Sequence, residues 1–216
     1  MTIAPAAAPE RRRLLQRRIR LIVGVTIAYN VVEAIVAITA GSLASSAALI
    51  GFGLDSVIEV LSAGAVAWQF TRRDPERWEK GTLRVIAVAF FALAAYVTAS
   101  SFTALLGGEE VGHSPLGIVI TAASVVIMPV LSLAERRAGR ELGSATAVAD
   151  SKQTLICTYL SAAVLAGLVL NSFFGWWWAD AIAGLVIAGF AVREGIEAWR
   201  GDTCATSVDM LLDDDD

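Results

Sequence analysis

The sequence predicts an all-α membrane protein, a bundle of six transmembrane helices with both termini in the cytoplasm. Three observations carry this reading. Hydrophobic residues make up 56% of the 216-residue chain and charged residues 18%, against roughly 45–50% and about 25% in a soluble domain. Mean hydropathy is +0.64 over the whole length, which points to lipid as the solvent. All 17 Lys and Arg residues fall on alternate sides of successive apolar runs, as they do when cytoplasmic loops collect positive charge.

A membrane-spanning helix needs about 20 predominantly apolar residues. Runs of that kind cover 19–40, 46–70, 83–106, 115–133, 148–170 and 176–192. None alternates with period two, which argues against a β-barrel. The first run follows Arg11, Arg12, Arg13, Arg17 and Arg18 and opens with Arg20. A full-length apolar run directly behind such a block reads as an anchored helix rather than a cleaved signal. The second connector and its edge carry Arg72, Arg73, Arg77, Lys80 and Arg84. The fourth carries Arg136, Arg137 and Arg140, with Lys152 just inside the next run, and Arg193 and Arg200 follow the last. The opposite side, "AGSLASS", "GGEEVGHSP" and "NSFFGWWW", has no basic residue. That side is therefore outer, and the aromatic cluster there suits an interfacial belt. The chain divides into a basic segment 1–18, a transmembrane domain 19–200 and an acidic cytoplasmic tail 201–216 ending in "LLDDDD". Self-repulsion makes that tail a solvated end before it makes it a metal collector.

Two Cys and one His exclude a disulfide framework and argue against a finger-type zinc cluster. No nucleophile–base pair, H-E-x-x-H or phosphate loop is present, so an enzyme is not expected. Nothing points to nucleic acid or to a tightly bound cofactor.

Ionisable groups at membrane depth cost about 2.5–3.5 kcal/mol each by insertion scales and usually mark a transport path. The second run holds "GFGLDSVIEVLSAG", with Asp55 and Glu59 four residues apart and no Lys or Arg within it. At that spacing both side chains leave one helix face. Asp55 lies about 13 Å and Glu59 about 19 Å from the outer end, midway through a core about 30 Å thick. Two like charges this close need a cation or a proton between them. Carboxylate oxygens suit Mg, Ca or Mn, and Zn with further ligands. Asn30 and Glu33 share a face of the first run; support of the metal, a proton relay and helix-packing hydrogen bonds are all open to them. In "VADSKQTLICTYLSA", Asp150, Gln153 and Cys157 share a face, and Cys157 lies level with Glu59. Cys157 offers a soft ligand or a small apolar filler. Gln153 offers a neutral oxygen at best, and Asp150 either metal support or an ion pair with Lys152. Asp180, one turn inside the last run, suits capping of that helix or gating of the outer mouth, with capping favoured.

These residues resemble the cation diffusion facilitators over roughly residues 19–200. "SSAALIGFGLDSVIEVLSA" is similar to that family's second-span motif, with Asp55 and Glu59 on its two metal-binding positions. "VADSKQTLICTYLSA" is similar to the fifth-span motif, with Gln153 and Cys157 on the matching pair, and Asp180 matches the usual sixth-span Asp. The chain departs from the pattern in three ways. Gln153 and Cys157 stand where the family has His or Asp and then Asp. Phe52 replaces an acid one turn before the second-span motif, while Asp150 keeps the fifth-span counterpart. The chain also looks like a truncated subgroup without a C-terminal cytoplasmic domain, similar to the zinc-efflux transmembrane proteins of vertebrate synaptic vesicles.

The resemblance implies a proton-coupled exporter of divalent cations, zinc first and Mn, Fe, Co or Cd as alternatives, working as a homodimer in the inner or plasma membrane. Two other classes share the same carboxylates: a proton-coupled exporter of organic cations, and a non-transporting membrane scaffold.

Overall fold

A computed structural model of the chain describes residues 9–70, 75–107, 111–142 and 145–200. All the elements among them are helices: α1 (Pro9–Ala44), α2 (Ala47–Phe70), α3 (Pro75–Gly107), α4 (Pro115–Leu142), α5 (Ala145–Phe174) and α6 (Trp177–Arg200). A helix covers each of the six apolar runs, and several helices run further toward the basic end. α1 starts at Pro9 rather than at residue 19, so part of the expected basic segment is simply its first turns. The acidic tail 201–216 lies outside the described residues.

Five helices hold a stretch long and apolar enough to cross a membrane: Arg13–Ala44, Ala47–Gly64, Lys80–Gly107, Pro115–Leu142 and Thr154–Phe174. The sixth expected span falls short of that measure. α6 has 24 residues, so the shortfall is one of composition, and Asp180, Arg193 and Glu194 all stand within it. It nonetheless packs into the bundle against α2, α3 and α5.

Local sequence sets the helix ends at the outer side. Ser46 caps α2 by accepting from Leu49 N at 3.0 Å. Ser114 caps α4 through Gly117 N at 3.1 Å, with Pro115 at the first helical position. The α1–α2 turn is two residues long and puts Ser45 at φ 53°. α5 closes at Gly175, φ 67°, whose amide returns to Asn171 O at 3.0 Å. Asn171 in turn donates to Val111 O at 2.8 Å, tying the α3–α4 connector to α5. Just beyond, the rings of Trp176 and Trp178 stack at 5.2 Å, at the outer end where an aromatic belt is expected.

The bundle is inside out relative to a soluble protein. Leu21, Val25, Val32 and Ile35 of α1 and Val119, Val126 and Val130 of α4 are exposed, while Glu33, Asp55, Ser124 and Asp180 are buried. α2 sits among α1, α3, α5 and α6, and α4 covers α1 and α5. One apolar cluster joins Ala37, Leu49, Phe52, Leu160, Val164 and Ile187 across α1, α2, α5 and α6. A second joins Ile58, Phe90, Leu93 and Val97 to α6. A third, nearer the basic end, packs Leu15, Ile19 and Val23 of α1 on Ala138 of α4. Lipid tails are as apolar as these side chains, so close packing rather than water exclusion must hold the helices together.

Gly53 makes one such approach possible. A Cβ there would lie 2.7 Å from Ile38 Cγ1 and 2.9 Å from Ile38 N, which is backbone and cannot step aside. Gly53→Ala is therefore expected to push α1 off α2 and destabilise the bundle by about 1–3 kcal/mol. A thermal melt in detergent checks this, and an unchanged Tm would contradict the packing described.

Asp180 provides the second constraint on α2. Its Oδ1 accepts from Ser46 Oγ at 2.5 Å and its Oδ2 from Ala48 N at 3.4 Å. The expected capping of its own helix is thus replaced by capping of α2, whose free first amides it faces. Asp180→Ala is expected to cost about 1–3 kcal/mol, since it strands buried donors. The same melt tests it, with Asp180→Asn retaining more stability than Asp180→Ala.

Candidate metal centre

Asp55 and Glu59 leave α2 one turn apart, as their spacing requires. Glu59 is the junction of three helices. Its Oε2 accepts from Asn30 Nδ2 of α1 at 2.8 Å, and its Oε1 accepts from Cys157 Sγ of α5 at 2.7 Å. The thiol is only 5% exposed. Equal depth for Glu59 and Cys157, read from residue counts alone, is realised as direct contact.

Asp55 is 7% exposed. It lies within electrostatic reach of Glu33 on α1 and Glu194 on α6, and its own charge reaches Cys157. Carboxylates on three helices thus repel one another around one stretch of α2. A cation or protons must balance them for the packing to persist.

Glu33, 1% exposed, occupies a pocket of hydroxyls. It accepts from Ser56 Oγ of α2 at 2.7 Å and from Ser124 Oγ of α4. Tyr29 Oη lies 2.8 Å from the same Ser124 hydroxyl. Both oxygens of Glu33 therefore have donors within the protein. Asn30 and Glu33, paired by sequence spacing, serve different partners: Asn30 turns to Glu59, and Glu33 to Ser56 and Ser124.

Asp180 does not join this junction. Asp180 caps the outer end of α2, about 16 Å of helix from Glu59. The side chains of Gln153, Asp150 and Lys152 lie outside the described residues. Phe52, standing where an acid was looked for, is buried in the apolar cluster with Leu49 and Val164. Among the described residues no three His, Cys, Asp or Glu side chains converge as a ready metal cage. What is assembled is a carboxylate with a thiol and an amide against it, and a second carboxylate one turn along. Such a mixed oxygen and sulfur set suits a borderline divalent ion.

Several contributors escaped the sequence reading. Glu194 follows Arg193 beyond the expected end of the last span, where it reads as an inner-surface residue. Ser56, Ser124 and Tyr29 carry no charge, and one hydroxyl among small apolar residues gives no periodic signal. The one hint at Ser56 was its place beside Asp55 on the face toward α1.

Comparison with known proteins agrees with this architecture. The family model for the cation efflux transmembrane domain matches residues 23–200. The chain is 29% identical over 181 residues to a protein named cation-efflux pump FieF from Shewanella oneidensis, an alignment covering 80% of this chain and 58% of that protein. It is 24% identical over 192 residues to an uncharacterized transporter of Methanocaldococcus jannaschii, covering 84% of this chain and 66% of that protein. The chain thus spans less than two thirds of the length of either relative. With the family match running from the first membrane helix to the end of α6 and enclosing every residue of the Glu59 junction, this multi-pass integral membrane protein belongs to the cation efflux family.

Proposed function

We propose that the protein exports a divalent transition-metal cation, zinc foremost, in exchange for protons by alternating access. The inner or plasma membrane is its proposed site, with a homodimer as the working unit. The observation that carries this reading is the Glu59 junction, where a half-buried carboxylate holds the buried Cys157 thiol at 2.7 Å midway along a membrane helix.

The chemistry follows from that contact. A metal binds thiolate, not thiol, so loading the site expels the Cys157 proton. The same holds for any proton shared among Asp55, Glu59 and Glu33. When the cation leaves, protons return and relieve the repulsion between carboxylates. One set of residues then carries either metal or protons, and the two flows run in opposite directions. In this scheme Glu194, near the basic end of α6, draws cations in from the cytoplasmic side. A rocking motion of the bundle about α2 would expose the site to each side in turn. In this scheme Gln153 adds a neutral oxygen and Asp150 supports the inner approach.

The double variant Asp55→Asn, Glu59→Gln is expected to abolish zinc flux in proteoliposomes under an imposed pH gradient while still folding. Undiminished flux would remove the site. Flux of organic cations without metal transport would favour a different substrate class.

Cys157→Ser is expected to weaken zinc and cadmium binding by at least the roughly 10- to 100-fold that a lost metal-site partner costs, and manganese by less. Binding should also weaken as pH falls, because the ligands must lose protons to receive the metal. Calorimetry of zinc binding in two buffers of different ionisation enthalpy counts the released protons. Metal binding with no proton release would rule out the exchange proposed.

A further inference from the structure

We propose that the side-chain carbonyl of Asn30 is itself a ligand of the transported cation, so that α1 joins α2 and α5 in building the metal centre. This rests on the reading of Glu59 and Cys157 as metal ligands and extends it.

The orientation of the Asn30 amide follows from its partner. Nδ2 donates to Glu59 Oε2 at 2.8 Å. Both Glu59 oxygens act as acceptors, Oε1 from Cys157 Sγ and Oε2 from Asn30 Nδ2, so the amide turns its N–H and not its carbonyl to the carboxylate. Oδ1 is left buried without a hydrogen-bond partner, on a side chain only 5% exposed. A buried carbonyl without a donor is costly, and here an electron-pair donor stands ready with nothing to receive it. Carbonyl oxygen and amide nitrogen are about 2.2 Å apart in one amide group. Oδ1 therefore lies within about 5 Å of the Glu59 oxygen whose bond to Nδ2 measures 2.8 Å.

The donor balance points the same way. No third His, Cys, Asp or Glu side chain converges on the junction among the described residues. Phe52, one turn before Asp55, is packed in an apolar cluster and supplies nothing. A divalent ion needs four or more donors. Among the described residues, the carbonyl of Asn30 is a buried neutral oxygen that is both adjacent to Glu59 and without a donor. A neutral oxygen beside a thiolate and carboxylates adds a ligand without adding charge. That keeps the loaded site close to neutral in a low-dielectric interior.

The competing role for Asn30 is only to orient Glu59 through its amide N–H. The two roles give opposite results for Asn30→Asp, which keeps an oxygen in place but removes the donor and sets a second anion beside Glu59. The whole chain in nanodiscs, titrated with cobalt as the probe, decides between them. As a ligand, Asn30→Asp binds cobalt as tightly as the native protein or more tightly, while Asn30→Leu loses about 10- to 100-fold. Equal loss in both variants overturns the proposal and leaves Asn30 a hydrogen-bond donor, and so does native affinity in Asn30→Leu. The near-isosteric Asp variant gives an answer even where the Leu variant misfolds. If cobalt binding survives undiminished in Asp55→Asn, Glu59→Gln, the metal centre itself has failed, which is a separate result from failure of Asn30 alone.

Discussion

The Glu59 carboxylate is the constraint on which the rest of this structure depends. It sits midway along α2, accepting from α1 on one oxygen and from α5 on the other. Hydrogen bonds between membrane helices contribute only about 0.6 kcal/mol on average. Their value here is geometric rather than energetic. They require α1, α2 and α5 to meet at one height and with one rotation. Small errors in either would leave a carboxylate in an apolar interior with no partner, which is far more costly than the bonds are stabilising.

The rotation of α2 is fixed by two further contacts on the same helix. At its outer end, Ser46 and the first amides are bound by Asp180 from α6. Between that end and the site, Gly53 lets the α1 backbone come close enough that a single Cβ would not fit. Together they act as a clamp and a spacer. The clamp sets the height of α2 relative to α6, and the spacer sets its distance from α1. Asn30 and Glu59 come within hydrogen-bond reach two turns further in as a consequence. At the basic end, Arg11 and Glu141 form an exposed pair at 3.1 Å. Exposed pairs of that kind contribute about 1 kcal/mol or less.

Much of this was legible in the sequence because membrane depth is a matter of counting residues. Rise per residue put Glu59 and Cys157 at one level, and the structure joins them. Charge distribution and hydropathy gave the helices. What counting could not give is which helix faces which. Asn30 and Glu33 share a helix face, yet one meets α2 at Glu59 and the other meets it at Ser56 and continues to Ser124 of α4. Asp180 looked like a cap for the helix it begins, because sequence proximity is the only proximity a sequence displays. Its true partner lies 132 residues earlier. The apolar stretch of α6 reads as a sixth span, and Asp180, Arg193 and Glu194 keep it below the composition of the other five. Asp180 is buried, and Glu194 is half-buried. An inward-facing charge has the same letter in the sequence as an outward one.

The stretch around Asp55 and Glu59 contains no Lys or Arg, and its neighbours in space are acids, hydroxyls, a thiol and an amide. A permanent counter-ion would have made a more stable helix and an inert one. A buried carboxylate paired with a fixed Arg holds its partner in every conformation, and breaking that pair is strongly destabilising. Groups that give up a proton on metal binding behave differently, since each occupant can replace the other without an unpaired charge arising in between. The hydroxyls around Glu33 extend this logic, for they stabilise that carboxyl group without committing it to a fixed cation. The Asn30 amide does the same for Glu59. Among the described residues, the surroundings of Glu33 and Glu59 are thus neutral donors and titratable groups rather than fixed counter-ions.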